Sequence, residues 1–191
     1  PSWLTTLGHA KDSLWSVDLF RCESILLKTH WVMVVMDQYT RRIIGFAIHA
    51  GNVDGITLCR MFNVATRGEG WPLRISSDND PLFQYHRWKA NLRVLDIEEI
   101  KSLPYVPMSH PFAERLIGSV RRELLDQTLF WTKSDLENKL QNYQRYYNEY
   151  RCHSNRDGAT PVESERSNVI DIRSYRWRKH CRGLFQLPVA A

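Results

Sequence analysis

Apolar positions along the chain recur with two periods, and each switch between them marks an element. Leu14 to Phe20 (LWSVDLF) has strand character, and Trp31 to Met36 (WVMVVM) is a nearly unbroken apolar, β-branched run of strand length. The polar stretch Asp37 to Arg42 is a connection. Ile43 to Ala50 (IIGFAIHA) then resumes the apolar run, so a hairpin joins the second and third strands. Asn52 or Asp54 is placed to cap a helix whose stripe is Leu58, Met61, Phe62 and Ala65, ending near Gly68 and Gly70. A short strand, Leu73 to Ser76, runs into the polar turn Ser77-Asp78-Asn79-Asp80-Pro81. The pattern beyond predicts a helix from Phe83 to Asn91 and a strand from Val94 to Ile100. Leu103 to Pro111 carries three prolines, which excludes regular helix or sheet there.

From Phe112 to about Leu129, apolar residues at Phe112, Leu116, Ile117, Val120 and Leu124 have helical spacing, with Glu114, Gly118, Arg121 and Arg122 on the other side. Thr132 to Asp135 supplies capping chemistry for a last long helix with Leu136, Leu140, Tyr143 and Tyr147 on its buried face. Asp157-Gly158 breaks the chain. The order is three strands, helix, strand, helix, strand, helix, helix, which is a mixed α/β domain.

At 191 residues, 43% apolar and 12% aromatic, the chain has material for one domain with a substantial core. It starts at Pro1, which fits a piece of something longer. No apolar run nears the roughly 18 to 20 residues that span a bilayer, so no membrane partner is expected. Four scattered cysteines form no CxxC pair, which argues against a zinc finger and gives no disulfide framework. The net charge of +5 suits a polyanionic partner only moderately. Basic residues gather near the end, in Arg173, Arg176, Arg178, Lys179 and Arg182, interleaved with Tyr175 and Trp177. They suit a nucleic-acid surface, or equally a solvated basic tail packing two aromatics. The expected division is a core over 1–165 and a basic C-terminal extension over 166–191.

Three carboxylates stand out. Asp18 lies inside an apolar strand, where an aspartate is costly to bury without a partner. Asp78 ends another strand, and Glu114 lies in the first turn of a helix, where the dipole alone favours it. Each has an ordinary structural explanation by itself. Together, two strand-borne aspartates and a helix-borne glutamate can converge at one end of a sheet, as hard divalent cations with oxygen ligands require.

The residues around them carry a resemblance. Asp78 and Glu114 are separated by 35 intervening residues, within SSDND and SHPFAERLIGSVRREL; YYNEYRCH (Tyr146 to His153) and GATPVE (Gly158 to Glu163) follow. In these motifs the chain resembles the retroviral-integrase and bacterial insertion-sequence transposase family, whose cores carry a D, D, 35, E pattern. Two departures are visible: Asp80 stands where many relatives have glycine, and Asn155-Arg156 replaces a more usual apolar ending. The resemblance implies a ribonuclease-H-like fold with a mixed five-stranded sheet, three antiparallel strands then two parallel, flanked by helices. It also implies a polynucleotidyl transferase that cleaves DNA ends with water and joins the freed 3′-hydroxyl to target DNA. The implied cofactor is Mg2+, with Mn2+ as substitute, as two ions about 3.5 to 4 Å apart. Asp18 would bridge both, and Asp78 and Glu114 would hold one each. The implied partners are transposon-end and target DNA and further copies of the chain, in a bacterial cytoplasmic, nucleoid-associated setting.

Four other carboxylates compete. Asp37 reads as a turn residue, Asp80 as a cap for the helix after Pro81, and Glu123 and Asp126 as a solvated helix face. For DNA contact the candidates are Arg121 and Arg122 beside the site, Gly118 leaving room, and Ser109, His110 and Arg115 flanking it. The alternative for the arginines is pairing with Glu123 or Asp126. Two alternative functions remain open: a structure-selective nuclease of the same fold, which cuts without joining, and a DNA-binding assembly subunit without bound metal.

Overall fold

The computed structural model describes residues 14–101, 111–152, 160–162 and 175–190. Strands β1 (Leu14–Glu23), β2 (Thr29–Asp37) and β3 (Ile43–Ala50) form an antiparallel meander. Helix α1 (Gly55–Ala65) leads to β4 (Arg74–Ser77), and α2 (His86–Val94) to β5 (Glu98–Lys101). The two later strands run parallel to β1, giving the sheet order β3-β2-β1-β4-β5. Helices α3 (Pro111–Val120) and α4 (Lys133–Glu149) follow. The expected mixed sheet, three antiparallel strands then two parallel, is the one observed.

The pleat sorts the residues onto two faces. Trp15 and Val17 of β1, Met33 and Val35 of β2 and Ile75 of β4 face α1 and α2, where Leu58, Phe62, Trp88 and Leu92 complete one core. Phe20, Val32, Val34 and Met36 face α3 and α4, against Leu116, Val120, Leu140 and Tyr143. Strand β2 is buried on both faces, hence its unbroken apolar run instead of alternation. Gly45 of β3 permits a close approach by α1, since a Cβ there would collide with the Ala65 carbonyl oxygen.

Local chemistry sets the helix ends. The Asp54 carboxylate accepts from the Thr57 amide, and the Thr132 hydroxyl from the Asp135 amide, while Asp135 accepts from the Trp131 amide. The predicted helix from Phe83 is divided: Asp80 caps a short 3-10 turn over Pro81–Gln84, and α2 begins after Tyr85. That helix continues to Val94, and Asp96 turns the chain at φ 56°, so β5 starts at Glu98 and not at Val94. Beyond Val120 the helix widens into a π turn over Arg121–Leu125, in which the Asp126 amide bonds the Arg121 carbonyl. Leu116, Val120 and Leu124, four residues apart, stay on one buried stripe through this turn.

The YYNEYRCH motif has a structural task where it is described. Asn148 is nearly buried; its amide accepts from the Ile43 amide at 2.8 Å and donates to the Ile43 carbonyl at 2.9 Å, and Gln144 donates to the Ile43 and Ile44 carbonyls. These bonds occupy backbone groups of β3, an edge strand, beside the register shift between Val35 and Met36. Asn155-Arg156 lies outside the described residues.

Part of the expected basic extension is an ordered hairpin rather than a tail. Strands β6 (Tyr175–His180) and β7 (Phe185–Ala190) pair antiparallel and dock on α4. Phe185 stacks on Tyr146 with ring centroids 4.2 Å apart, Cys181 is buried in the α3–α4 core, and Arg182 pairs with Asp135 at 3.1 Å. Arg176, Trp177 and Lys179 are exposed, and Arg173 lies outside the described residues. No described helix is long and apolar enough to cross a membrane, and the four cysteines are free thiols.

Candidate active site

Asp18 belongs to the face of the sheet covered by α3 and α4. Alternation along β1 places Ser16 and Asp18 on that face with Phe20, while Trp15 and Val17 point to the other. Ser16 pairs in parallel with Ser76 of β4. Asp18 stands two residues further along β1 and Asp78 just past the end of β4, which brings the two aspartates near enough for their charges to interact. Helix α3 packs against β1 and presents Glu114 in its first turn.

The electrostatics follow from that placement. Asp18 is 9% exposed and accepts one hydrogen bond, from the Leu19 amide at 2.7 Å. Burial, then the negative charge of Asp78, and more weakly those of Glu114 and Asp80, push its carboxyl up to about 7. No basic side chain among the described residues pairs with it. Asp78 is half-buried, with one oxygen accepting from the Asp80 amide at 3.0 Å, and Glu114 is exposed. Among the described residues, no three His, Cys, Asp or Glu side chains stand close enough to hold a metal ion together. The donor set is nonetheless what a hard divalent cation takes: oxygen only, with like charges gathered on one buried carboxylate. A cation would offset the burial and repulsion that raise Asp18.

The competing carboxylates are otherwise engaged. Asp37 is fully buried and accepts from the Tyr39 amide, the Thr40 amide and the Thr40 hydroxyl, which fixes the β2–β3 turn. Asp80 caps the 3-10 turn through the Leu82 amide at 2.8 Å. Glu123 corrects the expectation of a solvated face. It lies half-buried between α3 and α4, pairs with Arg151 at 2.8 Å and accepts from the Tyr143 hydroxyl at 2.9 Å. Burial and the Glu123 charge push the Tyr143 hydroxyl far up, and the hydrogen bond to Glu123 raises Arg151. Asp126 is exposed.

Arg121 and Arg122, in the π turn that follows α3, pair with neither Glu123 nor Asp126. Arg121 lies over the Phe20 ring at 5.6 Å and donates to the Arg21 carbonyl at 3.4 Å, which holds it beside β1. The room left by Gly118 is taken by Arg122, whose Nη1 lies 3.2 Å from where a Cβ would stand. Arg115 is exposed; Ser109 and His110 lie outside the described residues. Sequence reasoning missed the serines between the aspartates and the sheet interior. Ser16 accepts from the Gln38 amide at 2.6 Å, and Ser77 bonds Glu99 at 2.8 Å. Small polar residues inside an apolar strand pattern were the available signal.

Comparison with known proteins agrees with this architecture. Residues 95–161 match the integrase core domain family. A 39.2 kDa protein of insertion element IS476 from Xanthomonas euvesicatoria is 25% identical over 152 residues, 80% of this chain and 44% of its own length. The transposase for insertion sequence element IS904 from Lactococcus lactis subsp. lactis is 22% identical over 142 residues, 73% of this chain and 56% of its own length. The chain thus spans about half the length of these relatives. Among solved structures, the HTLV-2 integrase catalytic core domain in complex with magnesium has a TM-score of 0.62 at 17% identity, covering 81% of this chain and 96% of that one. A chain of the simian T-cell lymphotropic virus intasome has a TM-score of 0.64 at 16% identity, covering 94% and 68%. The fold is the ribonuclease-H-like fold of integrase catalytic cores. Matched segment, relatives and shared fold together support the reading of this chain as an integrase/transposase core of the DDE type.

Proposed function

We propose that the chain catalyses metal-dependent cleavage and strand transfer at the DNA ends of a bacterial mobile element, acting as a multimer on transposon-end and target DNA. Asp18, Asp78 and Glu114 hold Mg2+, for which Mn2+ can substitute. The observation that carries this reading is Asp18, a buried carboxylate in mid-strand with like charges around it and no basic partner among the described residues. By contrast, the Asp37 carboxylate accepts from amides and a hydroxyl, and Glu123 is paired with Arg151 and accepts from the Tyr143 hydroxyl.

When bound, the divalent ions supply charge that activates the attacking oxygen and stabilises the leaving oxygen of an in-line displacement. The protein's own part is placement. Asp18 is fixed by β1 and the Leu19 amide, Asp78 by the turn that closes on Asp80, and Glu114 by α3. Catalysis then rests on positioning and electrostatics, with no covalent protein intermediate. Arg115, Arg121 and Arg122, with Gly118, Ser109 and His110, form the proposed DNA contact beside the site.

The test is a joining assay with a pre-cut cognate DNA end and the full-length protein. Asp18→Asn, Asp78→Asn and Glu114→Gln should each abolish strand transfer; full activity in any one would remove that residue from the site. Cleavage without any joining would favour a nuclease.

A further inference from the structure

Behind Asp78, on the opposite face of the sheet, lies a partly buried polar brace. Ser77, the last residue of β4, is fully buried and shares the α1–α2 face with Ile75. Its hydroxyl donates to Oε1 of Glu99 at 2.8 Å, and the same oxygen accepts the Trp88 indole N–H at 2.9 Å. Glu99 sits on β5 opposite Ile75, two residues behind Ser77, and so reaches forward along the sheet to the end of β4. Trp88 is itself immobilised: fully buried, edge-on to Phe62 and tilted against Phe83, with both centroids at 5.3 Å.

Glu99 is half-buried, and apolar packing between β4, β5 and α2 would hold the strands together without a carboxylate here. What the brace adds is direction. It fixes the peptide that leads into Asp78, while the turn onto Asp80 fixes the one that follows. Asp78 is thereby held from both sides. We infer that Glu99 is a positioning residue which, through Ser77, sets the aim of the Asp78 carboxylate toward a divalent cation. This inference rests on the metal-binding reading above. Residues that orient metal ligands from outside the ligand set change metal affinity by roughly 10- to 100-fold when removed.

The experiment measures Mn2+ binding by calorimetry, well below the melting temperature, together with thermal melting, for the full chain and five variants. Glu99→Ala and Ser77→Ala should each weaken Mn2+ binding about 10-fold. Glu99→Gln keeps the accepting oxygen and should restore affinity to near the unsubstituted value. Trp88→Phe keeps the Ser77–Glu99 bond, so it should lower the melting temperature and leave the affinity unchanged. Lower melting temperatures with unchanged affinity in both Glu99→Ala and Ser77→Ala would overturn the positioning role. Failure of the unsubstituted chain to bind Mn2+, or undiminished binding by Asp78→Asn, would instead overturn the metal-binding reading.

Discussion

Asp18 and Glu123 are both carboxylates on the α3 side of the sheet, and the protein treats them in opposite ways. Glu123 receives Arg151 and the Tyr143 hydroxyl, so its charge is answered within the fold. Asp18 is more deeply buried, receives a single backbone amide among the described residues, and has Asp78 and Glu114 near enough to repel it. A compensated buried charge holds elements together; an uncompensated one among like charges is costly to stability, which is what makes Asp18 a candidate for a ligand of opposite sign. The contrast separates a seam from a site more sharply than residue type does.

Asp18→Asn should give the largest functional effect. Loss of several kcal/mol of transition-state stabilisation corresponds to a fall in strand transfer of about 10³-fold or more. The metal-free variant should melt no lower than the parent at pH 8, because a repelled charge has been removed. Glu123→Ala should behave in reverse. It leaves Arg151 and the Tyr143 hydroxyl without their acceptor, costing about 2 kcal/mol of stability, with strand transfer well below the melting temperature within about twofold of the parent. Equal activity losses in the two variants would break the contrast.

The pH dependence sharpens it. The carboxyl of Asp18 is raised from 3.8 to about 7 in the fold, so between about pH 4 and pH 7 the folded chain holds a proton that the unfolded chain has released. Its contribution to the stability of the metal-free protein is therefore greatest below about pH 4 and lost as the pH rises through 7. Asp18→Asn should flatten that slope in thermal melts. Mg2+, which takes the ionised form, should raise the melting temperature more at pH 8 than at pH 5.5. Smallest in effect, Arg121→Ala with Arg122→Ala should lower DNA affinity and reduce the slope of log affinity against log salt by about one to two. An unchanged slope would remove these arginines from the DNA surface.

Much of this was legible in the chain. The strands β1 to β3 announce themselves because β2 is buried on both faces and reads as a solid apolar run. The helix stripes through Leu58 and Phe62, and through Leu136 and Tyr143, follow from one-sided burial. The interval from Asp78 to Glu114, with its flanking motifs, is what singled out the trio now proposed as the site. What was hidden depends on contacts distant in sequence. Glu123 has the composition of a solvated helix face, and only Arg151, 28 residues later, shows otherwise. Strand β6, YRWRKH, has too many cations to read as a strand; its His180 is supported by Tyr146 on α4 and Tyr150 at its end. The status of Asp18 depended on parity and register together: Ser16 opposite Ser76 brings Asp18 near Asp78, and neither strand alone states that.

The most direct measurement is a crystal structure of the protein soaked in Mn2+, read by anomalous scattering. The account predicts manganese within coordination distance of an Asp18 oxygen, sharing ligands with Asp78 and Glu114. Manganese bound elsewhere, with the Asp18 carboxylate still bonded only to the Leu19 amide, would contradict it.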